Sequence, residues 1–166
     1  MKRWIIVGWL LAMGVALAGI VGKERLIARG EVVYLRLAPV DPRSLMQGDY
    51  MALHFSVADA VRVAHGSEQT RLAREERIVI RRDDRQEGHF VRLDKGEPLA
   101  PGELLLRVQN VPTRWGGNGV QVSTDAWFFQ EGQADRYARA RFGEFRVDAS
   151  GQALLVGMRD ERLAPM

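Results

Sequence analysis

An unbroken uncharged run over residues 4–22, WIIVGWLLAMGVALAGIVG, constrains this chain more than any other feature. At about 1.5 Å per residue, a helix over it measures roughly 28 Å, close to the hydrocarbon thickness of a bilayer. Lys2 and Arg3 in front favour an amino terminus on the cytoplasmic side, while Lys23, Arg25 and Arg29 behind weaken that bias. Ala16-Leu17-Ala18 also has the small-x-small form of a leader cleavage site, so a removed signal peptide is the alternative to a retained anchor. The apolar run continues past that site to Val21, which favours the anchor. In either case the remainder is exported, and residues 23–30 read as a short solvated connector.

What lies beyond must fold by core burial alone. The chain has 166 residues and no cysteine, so disulfides, thiolate ligands and cysteine nucleophiles are excluded. About 145 residues after the apolar run suffice for one domain with one core. The formal charge of +3 comes from 24 basic and 21 acidic residues; setting Lys2 and Arg3 aside leaves 22 against 21. A phosphate-binding surface needs a clustered basic excess, so no nucleic-acid partner is expected.

Residues 39–57, PVDPRSLMQGDYMALHFSV, change from turn chemistry to alternation within a few positions. Pro39, Asp41-Pro42 and Ser44 set turns, and Gly48 supplies a corner. From Asp49 onward a strand is expected, with Met51, Leu53, Phe55 and Val57 on the core face and Tyr50, Ala52, His54 and Ser56 on the other.

Gly48-Asp49-Tyr50-x-x-Leu53-x-Phe55 resembles the signature of the GDYXXLXY family of bacterial membrane-anchored proteins, with Phe55 where the signature has Tyr. That position therefore lacks a hydroxyl. Trp127-Phe128-Phe129-Gln130-Glu131-Gly132, then Tyr137, Arg141-Phe142-Gly143 and residues 153–157, are similar to that family's second block. The resemblance implies a membrane-anchored protein encoded beside multi-span membrane proteins, hence a membrane-protein partner, and it carries no reaction. It places the chain in the inner membrane as a single-pass protein with an extracytoplasmic carboxyl-terminal domain.

The rest of the chain reads as a succession of short strands with few helices. Residues 31–37 form a first strand, and residues 59–64 and 67–76 short helices, the second capped by Ser67. Residues 77–82 and 89–93 make a hairpin across a polar loop, followed by a strand over 104–108 and a loop over 111–118 with Trp115 as a core plug. The order strand, proline-bearing loop, Gly-acid, strand occurs twice, over 33–55 and 90–108, and suggests a duplicated unit against a background of ordinary turn chemistry. Short strands over 120–123 and 126–129 precede a helix over 131–141 ended by Gly143. Residues 144–147 and 153–158 then pair across Asp148-Ala149-Ser150-Gly151. The fold class is α+β, mainly antiparallel β: an anchor over 1–22, a connector over 23–30 and one domain over 31–166.

The candidate binding residues are those of the two blocks: Gly48, Asp49, Tyr50, Leu53, Phe55, Phe129, Glu131, Gly132 and Tyr137. Asp49 and Glu131 are an acid pair suited to acid-base work, each also explained by turn or helix-end chemistry. Ser44 has no lysine placed to activate it, Lys95 being the only one outside the amino-terminal region. His54, His65 and His89 lie in separate elements without metal-ligand spacing, and no phosphate-cradling loop is present, so neither metal nor cofactor is expected. The function expected is an accessory or interaction module, with a membrane-tethered hydrolase using Asp49, Ser44 or Glu131 as the alternative.

Overall fold

The structure, a computed structural model, describes residues 2–38, 50–66, 73–112 and 118–166. It opens on α1, Lys2–Arg29, longer than the apolar run by two turns. The stretch read as a connector is therefore helix: Lys23 to Arg29 favour it intrinsically, and Gly30 ends it with its N–H on the Leu26 carbonyl at 2.8 Å. The helix is long and apolar enough to cross a membrane, and none of its apolar stretch is buried in the protein. Among the described side chains of α1 only Leu26 is covered, at the point where the helix meets the domain.

The domain is built from antiparallel strands in three groups. β1 (Glu31–Arg36), β8 (Phe142–Val147) and β9 (Ala153–Arg159) form a three-stranded sheet with β8 in the middle. β3 (Glu75–Arg82), β4 (Gly88–Leu93), β5 (Glu103–Pro112) and β6 (Asn118–Gln121) form a second sheet in the order β4-β3-β5-β6. Among the described residues, β2 (Tyr50–Ala52) pairs only with β7 (Ala126–Phe128). The ribbon is stitched to the end of β1 by a Leu37–Phe55 bridge and by Ala38 N–H donating to His54 O at 2.8 Å. One core serves all three groups: Val33 and Leu35, Ile78 and Ile80, Leu106 and Val108, Phe145 and Met158, closed by Met51, Leu53 and Phe55. The mainly antiparallel α+β reading holds, as do the first strand and both expected hairpins.

The β8–β9 turn shows how local chemistry fixes register. Asp148 Oδ1 accepts from the Ser150 N–H at 2.8 Å, the Ser150 hydroxyl at 2.7 Å and the Gln152 N–H at 3.0 Å. Gly151, at φ 85°, turns the chain, and its carbonyl takes the Arg107 N–H at 2.7 Å, tying the first sheet to β5. Phe145 in β8 meets Phe55 edge-on at 5.1 Å between centroids. Gly143 is where these rings need room: a Cβ there would sit 2.9 Å from both Phe55 and Leu155 side-chain atoms.

Several sequence expectations give way to tertiary pairing. The strand begun at residue 49 stops at Ala52, and α2 (Ser56–His65) begins three residues before the expected helix. The alternation still holds in burial, because Val57 reaches the core from the helix together with Ala58 and Val61. The helix expected over 131–141 is a single turn, α3 (Ala134–Tyr137). Gly132 at φ 82° turns the chain before it, and afterwards the Arg141 N–H is drawn onto the Arg159 carbonyl, so Gly143 is a strand residue rather than a helix stop. Glu75 and Glu76 begin β3 instead of closing a helix, and Val111 and Pro112 extend β5 into the expected loop. The suggested repeat has no counterpart: β4 and β5 flank β3, whereas Leu37 and Phe55 of the other copy bridge directly. Ser44, Ser67 and Trp115 lie outside the described residues.

Candidate functional site

The motif segment contributes to two surfaces at once because its side chains alternate. Leu53 and Phe55 are buried, while Tyr50 and His54, at alternate positions, face outward. Around Leu53-His54-Phe55 lies an open cleft of ≈ 260 Å³, walled by α2 on one side and by β6 and the approach to β7 on the other. Its floor is apolar, from Leu53, Phe55, Val120 and Val122.

The cleft rim is polar and ordered by Asp59, one turn into α2. Asp59 Oδ1 lies 3.0 Å from His54 Nε2 and accepts from the Arg62 guanidinium at 2.8 Å. These groups are a third to a half exposed, so the pairs contribute little stability and act mainly to hold the imidazole and guanidinium in place. Asp125 and Thr124 complete the rim. The Thr124 hydroxyl is committed to backbone, donating to Ala126 O at 3.1 Å and accepting from the Ala126 N–H at 3.3 Å. Among the described residues the cleft thus offers an oriented His-Asp pair over an apolar floor without a free hydroxyl nucleophile, a composition suited to holding a ligand.

The second surface is aromatic. In the β2–β7 ribbon Tyr50 stands opposite Phe128, with ring centroids 5.9 Å apart. Phe128 is 75% exposed and Tyr50 37%. Phe129 turns the other way and stacks on buried Tyr137 at 4.9 Å, and Trp127 packs near the same ring.

The candidates named from sequence therefore separate. Tyr50 is on the exposed face; Leu53, Phe55, Phe129 and Tyr137 serve packing; Gly132 makes a turn; Glu131 is exposed in that turn, its carboxylate without a hydrogen bond among the described residues. Gly48 and Asp49 lie outside the described residues. The rim acids Asp59 and Asp125 and the cation Arg62 escaped sequence reading because a helix expected from residue 59 gave no sign that it faced the motif strand. The signal that existed was Asp59 and Arg62 at i, i+3, following a histidine on the polar face of the strand.

The buried acids elsewhere are structural. Glu87 accepts from Arg36 at 3.1 Å, Glu103 from Arg81 at 2.8 Å, and Glu144 from Arg159 Nε at 2.6 Å. The Ala100 N–H and Arg81 hold the Glu103 carboxyl below its ordinary range. Asp83, Glu87 and His89 bring ligand-type atoms within 4.8 Å of one another. Their contacts are already those of a turn, since Asp83 Oδ1 takes the Arg85 and Glu87 N–H groups at 2.9 and 2.8 Å.

No curated protein and no solved structure matches this chain. A family model described as GDYXXLXY protein matches residues 12–158. That span takes in the stretch from Gly48 to Phe55 and the block from Trp127 to Gly132 together with most of the domain, and on this ground the chain belongs to the GDYXXLXY family.

Proposed function

We propose that this chain is a single-pass, inner-membrane-anchored interaction module whose outer contact surface is the Tyr50–Phe128 pair. The observation that carries the reading is the exposure of Phe128, an apolar ring left in water beside a second aromatic ring. Aromatic side chains held in place by packing are the residues on which binding free energy concentrates at interfaces. The family's architecture makes an extracytoplasmic part of a multi-span membrane protein the partner in view. Lys2 and Arg3 ahead of the apolar run support an amino terminus in the cytoplasm.

A photo-crosslinking residue at position 128 of the full chain, in cells, tests this reading. One multi-span membrane protein should be captured, and Tyr50→Ala, shown to be folded by circular dichroism, should lower its yield at least ten-fold, as loss of an aromatic anchor does. Capture that is diffuse or unchanged in Tyr50→Ala, combined with loss of cellular function in His54→Ala, would replace the binding reading with a hydrolytic one centred on the cleft.

A further inference from the structure

The net positive charge of this protein resides on its first helix. α1 carries Lys2, Arg3, Lys23, Arg25 and Arg29 against the single acid Glu24. Removing those five from the 24 basic residues leaves 19 against 20 acids over residues 30–166, so the domain itself has a slight negative excess. Lys23, Arg25 and Arg29 follow directly on the apolar run, and because α1 is continuous to Arg29 their positions are fixed on a rigid rod. The stretch from Lys23 to Arg29 is about 10 Å long at 1.5 Å per residue, comparable to the headgroup layer on one side of a bilayer.

The rod is also set against the domain. Leu26 is 5% exposed where α1 meets the domain, and Gly30 admits no side chain: a Cβ there would lie 2.4 Å from the Leu26 carbonyl and 3.0 Å from Arg146 Cβ. Arg146 donates to the Gly30 carbonyl at 3.4 Å and brings a fourth cation to the helix end. At 100° per residue, Lys23 and Arg29 each stand about 60° from Leu26, on opposite sides, and Arg25 lies about one turn before Arg29. The cations thus flank the line along which helix and domain touch.

We propose that Lys23, Arg25 and Arg29 form a collar that binds anionic phospholipid headgroups and sets the depth and rotation at which the domain stands on the bilayer. The inference rests on α1 spanning the membrane as proposed above. Charge complementarity names the occupant: an anionic surface attracts the collar while it weakly repels a domain of net negative charge, and this combination seats α1's end in the headgroups and holds the domain off them.

The test uses the full chain in nanodiscs of mixed phosphatidylcholine and phosphatidylglycerol, counting by native mass spectrometry the lipids retained after release. Phosphatidylglycerol should be enriched at least ten-fold over its share, on the basis of roughly five-fold per surface cation before screening. The K23Q/R25Q/R29Q variant should lose the enrichment and K23R/R25K/R29K should keep it. Raising salt from about 0.1 M to about 1 M during assembly should abolish it, as screening shortens from roughly 10 Å to 3 Å. Equal retention by wild type and the Gln variant would overturn the collar, as would loss of enrichment in the conservative variant. Enrichment absent in wild type, with capture of an acidic protein lost in the Gln variant, would overturn it in favour of a protein contact. Failure of wild type to enter nanodiscs of phosphatidylcholine alone would instead refute the membrane-spanning reading.

Discussion

β8 and β7 are both antiparallel strands carrying aromatic residues, and they stand at opposite ends of what a strand does in this fold. In β8, five of six residues are buried, hydrogen-bonded neighbours lie on both sides, and Phe145 fills the space that Gly143 leaves open. In β7 none of the three residues is buried, one neighbour is present, and Phe128 projects into water. The same residue type is therefore buried framework in one strand and exposed surface in the other. Position in the sheet decides which: a central strand has both faces covered by its own chain, and a two-stranded ribbon at the margin leaves a face over for something else.

If that contrast is real, substitutions in the two strands should act on different observables. The largest stability effect is expected in Phe145→Ala, which removes a fully buried ring and its contact with Phe55; about 3–5 kcal/mol should be lost in urea unfolding of the full chain in detergent. A loss under about 1 kcal/mol would mean that the core around β8 relaxes to fill the space and that β8 is no better packed than β7.

An intermediate effect belongs to the turn that follows β8. Burial works against the Asp148 charge, yet hydrogen bonds from Ser150 and Gln152 and the nearby Arg107 outweigh it and hold the carboxyl below its ordinary 3.8. A depressed folded pKa adds stability that is complete above the unfolded value and is lost as pH falls through the folded one. Asp148→Asn should therefore cost on the order of 1 kcal/mol at neutral pH, and its stability should decline less steeply than wild type below about pH 4. Identical acid slopes for the two proteins, measured as urea midpoints, would remove the carboxylate from the account of the hairpin.

The smallest stability effect should be that of Phe128→Ala, within about 0.5 kcal/mol, since its ring covers only part of Tyr50. A cost above about 2 kcal/mol would show that the pair holds the ribbon together, and the contrast between the strands would collapse.

Where sequence reading succeeded, a few neighbouring residues were sufficient cause. Asp148 and Gly151 make their turn by bonds that span four positions, so the β8–β9 hairpin was legible, as was β3–β4. The burial alternation through Met51, Leu53, Phe55 and Val57 was legible too, even though the last of these reaches the core from a helix. The cleft was not legible, since His54, Asp59 and Arg62 gain meaning only when β6 and Asp125 are brought opposite them. The helix over 131–141 was read too long: Ala134, Tyr137 and Ala138 share a helical face, but the pull of the Arg159 carbonyl on Arg141 ends any helix soon after Tyr137.

By itself, then, the sequence determined a helix long and apolar enough to cross a bilayer, an antiparallel domain without disulfides, the core face of the motif segment and the closing hairpin. Each follows from hydrophobic periodicity or from side chains bonding their own backbone, which act over a few residues. Tertiary structure decided that the motif strand ends at Ala52, that residues 23–29 are a rigid end of α1, and that Phe129 goes inward while Phe128 stays out. Those outcomes depend on which distant strand supplies the hydrogen bonds and which ring already occupies the core, and a backbone hydrogen bond or a filled volume carries no label in the local sequence that competes for it.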